Sequence, residues 1–220
     1  MCGRYTISQA ERLEEIYREI DRRELLVPRF NVAPTQEVPV VLDESPEKLS
    51  AARWGLIPSW AKDRKIASSL INARAETVSV KPAFRSAYKR RRCAIPADGF
   101  YEWKRVGAGK VPHRITVGDG MFYFAGLWEM WNDPEAGPLR SCTIITCEPN
   151  ALMAEIHNRM PVILPPESRS AWLARETPPE QLAGLLVAHN PETMKAYAVS
   201  TRVNTPRNQE SALIEPAGAD

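Results

Sequence analysis

The stretch "RCAIPADGFYEW" (residues 92–103) reads as β-structure and lies in the middle of a series of such runs. "VPVVL" (38–42) precedes it; "HRITV" (113–117), "MFYFAGLWEMW" (121–131) and "RSCTIITC" (140–147) follow. Turn signals such as "VGDG" and "DPEAG" separate several of these runs. Helical patterns fall toward the ends. "SQAERLEEIYREI" opens with Ser8 and has Glu11 three residues on, a capping-box pattern, and Leu13, Ile16, Tyr17 and Ile20 then share a helical face. "NALMAEIH" reads as a short helix capped by Asn150. "TPPEQLAGLLVAH" reads as another, with Thr177 as cap, Pro178 at the first helical position and Glu180 completing a capping box. The expected class is α+β: a single domain with a curved, barrel-like antiparallel sheet flanked by helices, with the 19 prolines fixing many corners.

The 220 residues suffice for a sizeable core, and 44% apolar with 25% charged residues is ordinary for a soluble globular chain. No apolar run approaches the ~20 residues of a membrane helix, and no signal-peptide pattern opens the chain. The four cysteines, Cys2, Cys93, Cys142 and Cys147, are few and irregularly spaced, which fits a reducing compartment and a cytoplasmic protein. Cys93, Cys142 and Cys147 lie in apolar runs and read as buried small side chains. With no CxxC or HxxxH pair, no metal site is expected, and neither a Gly-rich phosphate loop nor a GxSxG elbow occurs.

The net charge of +2 conceals an asymmetry. Between Arg53 and Arg92 stand eleven basic residues and two acids, Asp63 and Glu76, whereas the tail from Asn208 has Glu210, Glu215 and Asp220 and no basic residue. Such clustering suits a polyanion such as nucleic acid. The run "KRRR" (89–92) alone fits a solvated loop equally well.

Three stretches can carry chemistry. "SSLINARAET" places Asn72, Arg74 and Glu76 at alternate positions, so an extended segment presents them to one face. "ADGFYEWK" places Phe100 and Glu102 on one face and Tyr101 and Trp103 on the other; desolvation there would raise the carboxyl's pKa toward that of a proton shuttle. "EIHNRMPVIL" places His157 and Arg159 just after a short helix, where His157 also reads as a helix cap. Cys2 is the fourth element. Once Met1 is removed it presents a free α-amine and a thiol on adjacent carbons, and the amine titrates near pH 8.

Taken in order, "MCGRYT", "FNVAPTQ", "WGLIPSWAKD", "INARAET", "RRCAIPADGFYEWK", "IHNRMPVIL" and "VSTRVNTPRNQ" closely resemble the SRAP family, whose members process abasic sites in DNA. The blocks run from residue 2 to about residue 209 and imply one SRAP domain over residues 2–215. The resemblance implies that the protein binds single-stranded DNA carrying an abasic site and cross-links to it through Cys2. The amine would attack the sugar aldehyde to give a Schiff base, and the thiol would close a thiazolidine. It further implies catalytic roles for Asn72, Glu102 and His157. Arg4, Arg74 and Arg159 match DNA-backbone contacts, Pro34 and Trp60 an apolar wedge beside the lesion, and Trp103 a wall of the site. No cofactor is implied, weak lyase activity and self-removal of Met1 are open, and a monomer is expected. Two other readings use the same residues: a peptidase with Cys2 as N-terminal nucleophile, and a non-covalent single-strand-binding module.

Overall fold

The computed structural model describes residues 2–218. The first half of the chain forms β1 (Tyr5–Ile7), α1 (Arg12–Ile16), β2 (Glu19–Ile20), β3 (Arg29–Val32), β4 (Glu37–Leu42), β5 (Ser45–Trp54), β6 (Asn72–Arg74) and α2 (Arg85–Arg90). The long central strands are β7 (Arg92–Ala97), β8 (Gly99–Val106), β9 (Gly109–Val117), β10 (Phe122–Asp133) and β11 (Gly137–Cys147). Then come α3 (Ala151–Ala154), β12 (Met160–Pro161), β13 (Ile163–Leu164), α4 (Pro166–Leu173), α5 (Pro179–Gly184) and β14 (Met194–Ala198).

Antiparallel ladders join β5 to β4, β4 to β7, β7 to β10 and β10 to β11. A parallel contact, Ser141 opposite Arg53 and Cys142 opposite Trp54, joins β11 back to β5 and closes a five-stranded barrel. Five strands cannot alternate in direction around a ring, so one parallel seam is required. The expected α+β barrel-like architecture is found, with this seam as its addition. Inside, the chains approach closely at Gly126: a Cβ there would lie 2.8 Å from the Thr143 carbonyl and 2.9 Å from Cys93 Sγ. Only glycine fits that spacing. Cys93, Cys142 and Cys147 are buried and unbridged, as their apolar surroundings suggested.

The run 92–103 is two strands in two sheets. β7 belongs to the barrel, whereas β8 joins a second sheet of order β14-β9-β8-β1-β3. The break falls at Asp98. Its backbone N–H donates to the Thr6 carbonyl, and its buried carboxylate accepts from Ser8 Oγ (2.9 Å), the Gln9 N–H (2.9 Å) and Arg114 Nη2 (3.2 Å). A buried carboxylate with this many donors is stable as a corner.

Helix positions need correcting. Ser8 spends its hydroxyl on Asp98, so it caps nothing, and α1 covers only Arg12–Ile16 with Ile16 exposed. Tyr17 is already extended because its hydroxyl meets that of Tyr123 at 3.0 Å, and Ile20 pairs with Leu49 in a strand. Asn150 caps α3 as expected, accepting from the Met153 N–H at 2.9 Å. Thr177 does not cap α5: its hydroxyl donates to the Ala171 carbonyl, and the helix begins one residue later than expected, at Pro179. The sequence reading missed α4, whose first residue is Pro166.

The run 89–92 divides. Arg92 is fully buried and donates to the carbonyls of Tyr88, Lys89, Trp172 and Ala174, satisfying the C-terminal ends of α2 and α4. Arg91 pairs with buried Glu129 at 2.6 Å, while Lys89 and Arg90 are exposed. No helix among the described residues is long and apolar enough to cross a membrane.

Candidate active site and nucleic-acid groove

The site forms where the second sheet meets one end of the barrel. β1 pairs with β8 through Tyr5 opposite Phe100 and Thr6 opposite Gly99, and the Tyr101 N–H donates to the Arg4 carbonyl at 2.9 Å. This pairing brings the residues ahead of β1 alongside β8, and Cys2 packs in the main core with Phe100 rather than with Tyr101 and Trp103. From the barrel side, β11 holds the other two segments. Its end pairs in parallel with β6, Ile144 opposite Asn72, and in antiparallel with β12, Cys147 opposite Met160.

These ladders converge four side chains. Asn72 Nδ2 donates to the Cys2 carbonyl at 2.9 Å, fixing the start of the chain against β6. Cys2 is buried, and burial pushes its thiol well above the ordinary value, with the Glu102 charge acting in the same direction. Glu102 is 2% exposed, and desolvation pushes its carboxyl up to about 7. His157 Nε2 lies 3.9 Å from Glu102 Oε2.

The His157 backbone N–H donates to the Met153 carbonyl at the end of α3, so the cap reading holds for its main chain. Its Nδ1 faces both the Arg159 N–H (3.0 Å) and the Arg159 carbonyl (3.2 Å), while Nε2 points toward Glu102. Burial lowers the imidazole pKa, favouring a neutral ring. The two faces of β8 separate as the alternation implied: Phe100 lies in the main core, whereas Tyr101 and Trp103 pack in a second cluster with Val199, Val203 and Leu213.

An open groove of about 620 Å³ continues from Asn72, lined by Trp60, Arg74, Lys81 and Phe84 among others. Trp60 is 60% exposed, although its loop is anchored by buried Ile57 and by Trp131 Nε1 donating to the Ala61 carbonyl. Arg74 is exposed at the end of β6. Glu76 lies beyond that strand in a turn and forms a two-pronged pair with Arg159 (2.7 and 3.0 Å), which depresses its pKa. Arg159 also donates to the Thr146 carbonyl, so much of its guanidinium is committed within the protein. Arg4 is similarly engaged, with Asn31 Oδ1 and the carbonyls of Val203 and Asn204.

Pro34 is half-buried in the β3–β4 turn, which closes through the Gln36 N–H to the Ala33 carbonyl. The next residue, Thr35, holds φ at 74°, a costly value for a β-branched side chain. Trp103 Nε1 donates to Asn204 Oδ1, which ties β8 to the C-terminal strap. The sequence reading missed Asn31. It is fully buried, and its Nδ2 faces the carbonyls of Val203, Thr205 and Asn208, so it clamps that strap beside Arg4. Its one available signal was an amide inside the otherwise apolar "FNVA".

Comparison with known proteins places this arrangement. The profile of the family described as SOS response associated peptidase (SRAP) matches residues 1–206. The abasic site processing protein YoqW of Bacillus subtilis (strain 168) is 47% identical over 224 residues, covering 98% of this chain and 99% of that one. The abasic site processing protein HMCES of Xenopus tropicalis is 34% identical over 214 residues; the match covers 82% of this chain and 64% of that protein. A crystal structure of a Bacteroides thetaiotaomicron protein superposes with a TM-score of 0.88 at 28% identity, covering 98% of this chain and 100% of that one.

Proposed function

The chain belongs to the SRAP family, and on that premise we propose that it captures abasic sites in single-stranded DNA as a covalent thiazolidine at Cys2. The observation that carries this reading is the convergence of Asn72, Glu102 and His157 on the first residue of the processed chain. An internal cysteine has its nitrogen in a peptide bond. Here the segment that can present both nucleophiles on adjacent carbons is the one the fold anchors. Removal of Met1, which lies outside the described residues, is required first.

An abasic deoxyribose opens to an aldehyde, with His157 as the acid/base for ring opening. The Cys2 amine adds to that carbonyl carbon to give a carbinolamine, and loss of water, with the proton supplied by His157, leaves an imine. The thiol then adds to the imine carbon: a C–S bond forms, its proton passes to the Glu102 carboxylate, and the ring nitrogen takes up one proton. A carboxyl with a pKa of about 7 is half-ionised at neutral pH and serves both directions of transfer. Asn72 holds the Cys2 carbonyl and itself lines the groove, which fixes the residue that bears amine and thiol next to the bound strand.

Arg74 contacts the DNA backbone, and Arg4 and Arg159 do so through donors left over from their internal bonds. Trp60 and Pro34 form the wedge beside the lesion, and Trp103 shapes the wall. The imine permits β-elimination of the 3′ phosphate, a weak lyase reaction that thiazolidine closure suppresses. The protein acts as a monomer in the cytoplasm, at the nucleoid.

Intact mass of the Met1-free protein, before and after incubation with a single-stranded oligonucleotide carrying one abasic site, tests this reading. A stable adduct is expected for the wild type. The Cys2→Ala variant should give none without borohydride, which would trap its imine. Absence of any adduct with a free Cys2 terminus overturns the reading.

A further inference from the structure

The abasic-strand reading leaves the basic residues of α2 without a task, and the fold arranges them in a row. The Arg85 N–H donates to the Lys81 carbonyl at 2.9 Å, so Lys81 is in helical register with α2. Lys81, Arg85 and Lys89 therefore recur at i, i+4 and i+8 on one face, and all three are exposed, as is Arg90. Like charges at this spacing repel. Arg85 also stands at the N-terminal end of the helix, where the dipole disfavours a cation, and no acid occupies that first turn. The nearby acids are engaged elsewhere: Glu76 by Arg159, Glu129 by Arg91, Asp43 and Glu44 by Arg175.

The row joins two places. Lys81 lines the groove that contains Asn72 and Trp60, and Lys89 and Arg90 line a second open groove of about 590 Å³ with Arg175. From Lys81 to Lys89 is about 12 Å, the length of roughly three to four phosphates along one B-form strand. A surface that is unfavourable alone, positive along the row, with Glu44 in the second groove paired to Arg175, and continuous with the lesion groove fits a polyanion that extends beyond the lesion.

We propose that the exposed face of α2 is a second phosphate track, which takes the backbone of the captured strand from the groove beside Asn72 toward the basic groove at Lys89 and Arg90. The inference rests on the abasic-strand reading for the identity of the strand. The track is electrostatic and indifferent to base sequence.

The test is the salt dependence of reversible binding to an undamaged 20-nucleotide single strand, with wild type, Arg85→Gln/Lys89→Gln and Arg18→Gln/Lys195→Gln. The first pair should reduce the slope of log K against log [salt] by about 1.4, since each phosphate contact on a single strand contributes about 0.7. The second pair removes the same charge from other exposed positions and should leave the slope unchanged. The charge-keeping variant Arg85→Lys/Lys89→Arg should restore the wild-type slope. An unchanged slope for the first pair, or an equal loss for both pairs, overturns the proposal. Capture of an abasic site in a five-nucleotide strand is measured separately. If the wild type captures none, the abasic reading fails, and the slopes still decide whether the track exists.

Discussion

The barrel and the edge where Cys2 lies bury charged groups in opposite ways, and residues 92–103 supply one example of each. Arg92, at the start of β7, is enclosed and donates to four carbonyls at 2.7 to 3.1 Å, closing two helix ends. Glu102, ten residues on in β8, is nearly as buried, yet its environment lifts its pKa to about 7. The first burial satisfies a charge and leaves nothing to exchange. The second destabilises a charge, and a carboxyl held near its own midpoint can give or take a proton at neutral pH. Burial therefore separates structure from chemistry only when the partners are named.

The largest effect that can break this comparison is at Arg92. Arg92→Ala would leave four carbonyls facing a cavity between α2 and α4, and removing one side of such a buried polar network costs about 3–5 kcal/mol. Chemical denaturation should show that loss. Arg90→Ala, two residues earlier and exposed, should change stability by less than about 0.5 kcal/mol. Equal effects would mean that the run 89–92 acts as one charged segment.

Glu102→Gln sharpens the other side. The folded-state pKa of about 7 lies above the ordinary glutamate value, so the native state binds the proton more tightly than the unfolded chain. The stability Glu102 contributes is thus fully present below about pH 4.3 and is lost as pH rises through 7. At ~1.4 kcal/mol per unit the full span is on the order of 3 kcal/mol. Denaturation midpoints across pH 4–8 should lose this component in Glu102→Gln. The rate of adduct formation in the wild type should inflect near pH 7, and the variant should lack that inflection.

How much of this could be read beforehand follows from what local patterns report. Alternation in "GFYEW" gave the two faces of β8, because side-chain direction in a strand depends only on its neighbours. Alternation could not show that the chain changes sheets at Asp98, because that corner is made by Thr6, Ser8 and Arg114, remote in sequence. Ser8 looked like a cap for the same reason: its hydroxyl was free to be assigned locally until Asp98 took it. Charge in "KRRR" was visible, but partners were not, so Arg92 and Arg90 looked alike. The grouping of Cys2, Asn72, Glu102 and His157 came from family resemblance, and the structure supplies what that could not, the 2.9 Å tether on the Cys2 carbonyl and the placement of His157 Nε2 toward Glu102.

The smallest effect separates two tryptophans, one expected in the wedge beside the lesion and one in the wall of the site. Trp103 is half-buried, and its Nε1 holds Asn204 at 2.8 Å, so Trp103→Ala should loosen the C-terminal strap and lower stability along with DNA capture. Trp60 is 60% exposed on a loop anchored by other residues, Ile57 and Trp131. Trp60→Ala should therefore change stability by less than about 0.5 kcal/mol. Its indole is available to stack on a base, a contact worth about 1–3 kcal/mol per base and tolerant of sequence. Affinity for a single strand should fall roughly tenfold or more with the melting temperature unchanged, and Trp60→Phe should recover most of it. A Trp60→Ala protein that melts early would place that ring with Trp103 in the scaffold, and the groove beside Asn72 would then lack its stacking platform.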